Sequence, residues 1–434
     1  MKLLHPSASV ALLALVVACG GGGDSGTPPT NEPPTVTFTT LVLAVTKSSP
    51  IDLTISASDP DGDPLTITWE VTRGLLTPQN AGKTVMRWGT PSSVGTDTVT
   101  VHVSDGTLNR SITAVMKVAT LLSSNSAPGS YTKALSPYIL RTSVNNHQIL
   151  VQAGSTVIEA GVELYIDTPG TYFTVLGDLT AHGTPDEPIV IRPNNRTLSC
   201  AGDDRGWWEG VQAATDDAVS SDGFVDFEHV EVWYAQSGIR LSEQAGALLR
   251  DCKIRCSGHN GILIEGTGTL QVFDSQITDG VSDGIAVAAI SSLPDSVRID
   301  HCSISFNGNA GIRMDLNDFG QSVPIRVEFN EIEFNGSYGI ALAHSVFPSI
   351  HYNAFRGNGD TAVVNLFLTG GYPDPVNFPT LDATCNFWGS ATNSQATVDA
   401  SIRDSLDTPS TVHTRVDSNP WLNANPITTP PICP

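Results

Sequence analysis

One phrase recurs six times between Phe227 and Leu366, and it restricts the fold more than any other feature. One copy reads Val272-Phe273-Asp274-Ser275-Gln276-Ile277 and then Gly284-Ile285-Ala286-Val287. The next reads Ile299-Asp300-His301-Cys302-Ser303-Ile304 and then Gly311-Ile312-Arg313-Met314. The apolar anchors fall at Val232, Ile254, Ile277, Ile304, Ile332 and Phe355, at gaps of 22 to 28 residues. Such a period marks a repeated supersecondary unit that is too small to bury its apolar face alone. Each copy holds two apolar alternations of period two, which is a strand signal, and no copy carries a helical period. The units are too short for propeller blades. Coils of short strands remain, each laid on the next, with the core created by the stacking. The Gly before each Ile suggests a turn with a backbone angle that glycine adopts easily. Two residues before the anchor stand Cys252, Ser275, Cys302, Asn330 and Asn353. Small polar side chains ~4.8 Å apart in successive coils can hydrogen-bond along the stack.

This pattern resembles the right-handed parallel β-helix repeat of pectin-lyase-like proteins. Gly154-Ser155-Thr156-Val157-Ile158-Glu159-Ala160-Gly161-Val162, and the stretch from Gly177 to Ile191, resemble that family's opening coils. Asn386-Phe387-Trp388-Gly389 resembles its closing motif, so the resemblance runs from about Pro137 to Pro426. It implies a fold and little about activity, because the fold hosts lyases, hydrolases and adhesins.

Upstream, residues 35–118 hold several short strand patterns separated by turns, as an antiparallel sandwich does. Ala57-Ser58-Asp59-Pro60-Asp61-Gly62-Asp63 and Val103-Ser104-Asp105-Gly106 resemble the PKD and cadherin-like immunoglobulin-fold modules of bacterial surface proteins. The alternating Asp59, Asp61 and Asp63 are compatible with a Ca²⁺ site. A solvated Asp-Pro-Asp-Gly turn is the simpler reading of them. The expected fold is therefore all-β: a right-handed parallel β-helix preceded by a small antiparallel β-sandwich.

At the start, Lys2 and the short apolar run Val10 to Ala18 read as a signal peptide, residues 1–18. Val16-Val17-Ala18-Cys19 resembles the bacterial lipobox, which implies lipidation of Cys19 and membrane attachment there. An ordinary cleavage site is the other reading. Residues 19–34 form a Gly- and Pro-rich tether. No Asp follows Cys19, which favours the outer membrane or cell surface. The remaining divisions are a linker at 119–136, the β-helix at 137–390 and a capping tail at 391–434.

The formal charge of −22 argues against nucleic acid, whose phosphates demand basic patches. It also opposes polyanionic sugars unless local arginines or bridging Ca²⁺ hold them. Six cysteines remain after Cys19, and sequence does not fix their pairing. Cys252 and Cys302 share a column two coils apart, ~9.6 Å, too far to bridge. No CxxC pair is present.

Active sites of the resembled family lie on the outward face of one sheet. Alternation assigns that face on the strand after each Gly. Its first column reads Arg240, Leu263, Ala286, Arg313, Ala341, and its second Ser242, Glu265, Ala288, Asp315, Ala343. The residues before each Gly add Ser237, Asn260, Asp283, Ala310 and Tyr338. Glu265, Asp283, Arg313 and Asp315 would rim a floor of alanines. Carboxylates ~5–10 Å apart on successive coils span glycosidase spacings, and an arginine there can serve as lyase base or substrate clamp. A solvated polar sheet face is the alternative. Trp208, in a polar insertion at 194–222, and Tyr338 are candidate sugar platforms; for Trp208 the resemblance also implies structural packing at a coil turn. A column of His229, Asp251, Asp274 and His301 is a weaker candidate for metal or proton sharing. The leading expectation is an envelope-anchored glycan-binding module or scaffold. A polysaccharide lyase or glycoside hydrolase is the alternative, and a protein-binding adhesin the third.

Overall fold

The computed structural model describes residues 30–426, apart from 40–41, 144, 153, 196, 203, 217–220, 289–295, 317–324, 345–347, 360–365, 370–380, 390–393 and 404–415. The tether and Cys19 therefore lie outside the described residues, save the tether's last few positions.

Each coil runs through three short strands. Thr269–Phe273 is followed by Gln276–Thr278 and then by Ile285–Val287. The equivalent strands of neighbouring coils pair in parallel, which builds three long sheets. The anchor sheet contains Val232, Ile254, Ile277, Ile304, Ile332 and Phe355 in one register column. The glycine sheet contains the strands after each Gly-Ile, in ten strands. The third sheet has nine. Inward-facing Ile, Val and Leu of all three form one continuous buried core from Tyr131 to Ile402. Trp388 occupies the next anchor position, its ring stacked at 5.0 Å on that of Phe355. The closing motif thus makes a last rung.

The coils turn by a device that differs from the expectation. Gly238, Gly261, Gly284 and Gly311 do not have positive φ. They are glycines because the coils approach closely: a Cβ on Gly284 would meet the Gly311 carbonyl oxygen at 2.6 Å and Ile304 Cγ2 at 2.7 Å. The left-handed residues instead bracket the anchor strand. They are His229, Asp251, Asp274, His301, Phe329 and Tyr352 on one side, and Tyr234, Cys256, Asp279, Phe306, Phe334 and Gly357 on the other. The His and Asp column is therefore a line of sharp corners. Asp251, Asp274 and His301 are exposed there, and no cluster of three metal-binding side chains exists among the described residues.

Side-chain amides pay for burying the corner backbone. Asn330 N donates to Asn353 Oδ1 at 3.0 Å, and Asn353 N to Asn386 Oδ1 at 2.8 Å. Cys302 N donates to Asn330 Oδ1, and Cys252 N to Ser275 Oγ. A second ladder, Asn307, Asn335 and Asn358, runs three residues after the anchors and bonds in the same way.

Residues 35–118 form two antiparallel layers. One is ordered Thr35–Phe38, Pro50–Ser58, Val85–Gly89, Leu75–Pro78. The other contains Thr66–Val71, Gly95–Ser104 and Asn109–Leu122. Trp88, Val99, Met116 and Val118 are fully buried between them. The segment expected as a linker is ordered. Asn109–Leu122 continues to position 122 and pairs in parallel with Tyr138–Leu140, so the sandwich layer and the anchor sheet are one 13-stranded sheet. Ser130–Tyr131 joins the third sheet as its first strand. Asn194 reinforces the joint by accepting from Ala44 N at 2.9 Å and donating to Ala44 O at 3.0 Å.

The expected insertion also divides. Gly210–Ala213 is a rung of the glycine sheet. Trp207 to Glu209 already bond to neighbouring coils, so the excursion lies between Asn194 and Trp207, followed by the small hairpin of Thr215–Asp216 with Ser221–Asp222. At the far end, the helix Gln395–Asp399 precedes Ile402–Arg403, which adds to the glycine sheet, and Val416–Asp417 pairs with Leu381–Asp382.

Candidate functional site

The register reproduces the first outward column of the glycine sheet: Arg240, Leu263, Ala286, Arg313 and Ala341 are successive partners. Arg240 and Arg313 are exposed. Ala286 and Ala341 lie recessed between larger neighbours, only 5% and 8% exposed. In the second column Asp315 partners Ala343.

The rim carboxylates are brought to this face but each is engaged. Glu265 pairs with Arg240 at 2.7 Å, and Asp315 with Arg313 at 3.3 Å. Asp283 is 3% exposed. Its Oδ1 accepts from Asn309 Nδ2 at 2.6 Å and from Ala310 N at 3.0 Å, while its own N donates to Asn260 Oδ1. Burial raises the Asp283 carboxyl above the usual aspartate range; the bonds from Ala310 and Asn309 and the charges of Arg313 and His259 oppose that shift. Asp283 is thus a link in a polar column, with Ala310 as its neighbour and Tyr338 one rung further.

Two other expectations change. Trp208 is fully buried in the β-helix core, and its Nε1 donates to Trp233 O at 2.8 Å. It offers no face to a sugar, because the coil closes over it. Asp59 serves its own turn: Oδ1 accepts from Asp61 N at 2.9 Å and Asp63 N at 3.2 Å, and Asp61 Oδ2 accepts from Glu32 N. These are the bonds of an Asp-Pro-Asp-Gly turn, and no group of three metal-binding side chains exists among the described residues.

No candidate residue was expected on the outward face of the anchor sheet. There Trp233 is the in-register partner of Arg255, and Arg192 directly follows Ile191, the partner of Val232. The Arg192 guanidinium lies 5.7 Å from the Trp233 ring centre and that of Arg255 lies 5.5 Å from it. Segment 194–209 is fastened beside them by the Cys200–Cys256 disulfide, and Tyr234 Oη donates to Leu198 O. Counting alternate residues out from Val232 would have found Trp233. Cys385 is also disulfide-bonded, whereas Cys252 and Cys302 are buried thiols, each pushed up to about 12 by burial.

Comparison with known proteins agrees with this architecture. Residues 210–373 match the right handed beta helix region, and residues 31–118 match the bacterial Ig domain. No curated protein and no solved structure matches the chain. Residues 31–118 are thus similar to a bacterial Ig domain, and the coils of 210–373 are similar to a right-handed β-helix region.

Proposed function

We propose that this protein is an envelope-anchored scaffold whose β-helix binds glycans. The pairing of an Ig domain with a β-helix supports a surface or carbohydrate-binding protein in general. The observation that carries binding over turnover is the state of the rim: Glu265 and Asp315 are held by arginines and Asp283 by Asn309 and Ala310. A hydrolase needs two carboxyl groups free to act on one bond. The disulfides at Cys256 and Cys385 support an oxidising compartment. Attachment rests on the lipobox at Cys19, and no helix among the described residues is long and apolar enough to cross a membrane.

One observation favours the second reading, a lyase or glycoside hydrolase: the raised carboxyl of Asp283, the property of a general acid. Incubation with neutral and acidic polysaccharides separates the two. Binding without chain cleavage, weakened by Tyr338→Ala, supports the scaffold. Cleavage that disappears in Asp283→Asn and Asp315→Asn supports the enzyme. Palmitate labelling that is lost in Cys19→Ser tests the anchor.

A further inference from the structure

Among the described residues five arginines are half-buried: Arg73, Arg192, Arg205, Arg250 and Arg255. Arg73 pairs with Asp97, and Arg250 with Asp226. The other three have no carboxylate partner, although Arg255 Nη2 donates to Gln276 Oε1 at 2.6 Å, and they follow one another along successive coils. Arg192 and Arg255 flank Trp233 on the anchor sheet. Arg205, from segment 194–209, donates to the carbonyl of Asp279, the corner residue that follows Thr278, and Thr278 is the in-register partner of Arg255. The Nε atoms of all three are buried without a hydrogen-bond partner. In a chain with twice as many acidic as basic residues, such a grouping needs a reason. Leaving buried donors without partners is unfavourable, and more so for charged donors. The nearby acids are committed elsewhere. Glu231 accepts from Lys253 and from Trp233 Nε1, Asp204 from Ser199 N, and Asp279 from Thr278 Oγ1.

We infer that Arg192 and Arg255 on either side of Trp233, with Arg205 at the corner one coil beyond Arg255, form a binding site beside the Cys200–Cys256 disulfide for the oxyanion groups of an acidic glycan laid along the stack. The site is on a different sheet from the rim of Glu265 and Asp283. Planar guanidinium groups suit carboxylate and sulfate, which share this chemistry. Arg192 and Arg255 belong to coils on either side of Trp233, two rungs or ~9.6 Å apart. A single small anion does not span that distance, whereas a linear chain with repeated charges does. The net charge of −22 repels a polyanion at long range. At physiological ionic strength charges beyond about 8 Å are screened, and the local arginines prevail.

The inference rests on the glycan-binding reading and narrows its ligand. The test titrates the whole protein, at physiological ionic strength, with polygalacturonate, dextran sulfate and neutral dextran. The expected result is binding of one or both charged polymers, not neutral dextran, weakened at least ten-fold in Arg192→Gln/Arg255→Gln. Polygalacturonate alone identifies the carboxylate as the group taken, and dextran sulfate alone the sulfate. Arg205→Gln, outside the coil, should also weaken binding and guards against misfolding of the double variant. Arg326→Gln, an exposed arginine on the third sheet, should leave binding unchanged. Equal loss in Arg326→Gln overturns the inference. Binding of neutral glycans that all these variants retain, with no uptake of charged ones, overturns it and leaves the scaffold reading standing. Failure to bind any glycan removes both.

Discussion

At the residue scale, the buried polar groups carry the strongest constraints. Asn353 is fully buried. Its Oδ1 accepts from Asn330 N and Nδ2, and its Nδ2 donates to Val327 O and Asn386 Oδ1. Asn353→Ala strands Asn330 N and Val327 O in the core, and we expect a loss of about 2–5 kcal/mol from two such groups. Urea unfolding checks this; a loss below 1 kcal/mol, about the size of a single ordinary hydrogen bond, would refute the ladder's role. Asp283 sets a pH dependence. Because its folded pKa is raised, its neutral form is the better fit. Its contribution to stability is full below the ordinary aspartate range and is lost as pH rises through the raised value. Asp283→Asn holds a neutral group at every pH, so the variant should lack that decline. Urea midpoints measured across the acidic range decide it, and parallel curves for the two proteins would reject the assignment.

At the element scale, each rung is defined by two left-handed corners and one tight glycine contact. Gly284→Ala forces a methyl into Gly311 O and Ile304 Cγ2, neither of which has room to retreat. We expect about 1–3 kcal/mol of destabilisation by overpacking, read as a lower melting temperature. Gly62→Ala is a different case: its Cβ position is open and only its positive φ of 83° resists the change. A smaller effect at Gly284 than at Gly62 would show that crowding is not the reason for the glycine. The exposed ring pair Phe306 and Phe334, stacked at 5.4 Å, stands on successive corners. Regular corners place like residues one above another, and stacking follows from the coil repeat.

At the scale of the whole molecule, the Ig domain is the first layer of the stack. Its strand Asn109–Leu122 supplies the partner for Tyr138–Leu140. Ala44, Ala119, Ile139 and Tyr165 are packed together across the joint. Removing residues 30–122 uncovers the edge of Tyr138–Leu140, and an uncapped strand edge pairs with other chains. We expect the trimmed protein to aggregate, measured by light scattering; a soluble monomer would show that the β-helix caps itself. Much of this architecture was legible beforehand. Period-two alternation and the repeat length were enough for a stacked coil of short strands, its inward faces and the first outward column from Arg240 to Ala341, because these depend on local chain geometry repeated many times; that each coil has three strands came from the fold. The ladder at Asn330 and Asn353 was legible for the same reason. The role of the glycines, the pairing of Cys200 with Cys256, the continuity of the sheet through 119–136 and the alignment of Arg192, Arg255 and Arg205 along successive coils were not. Each depends on how closely one coil approaches another or on where a segment leaving the coil returns to it. Sequence order alone determined what repeats; distances between coils, which only the folded chain possesses, decided which side chains are covered, paired or left for a ligand.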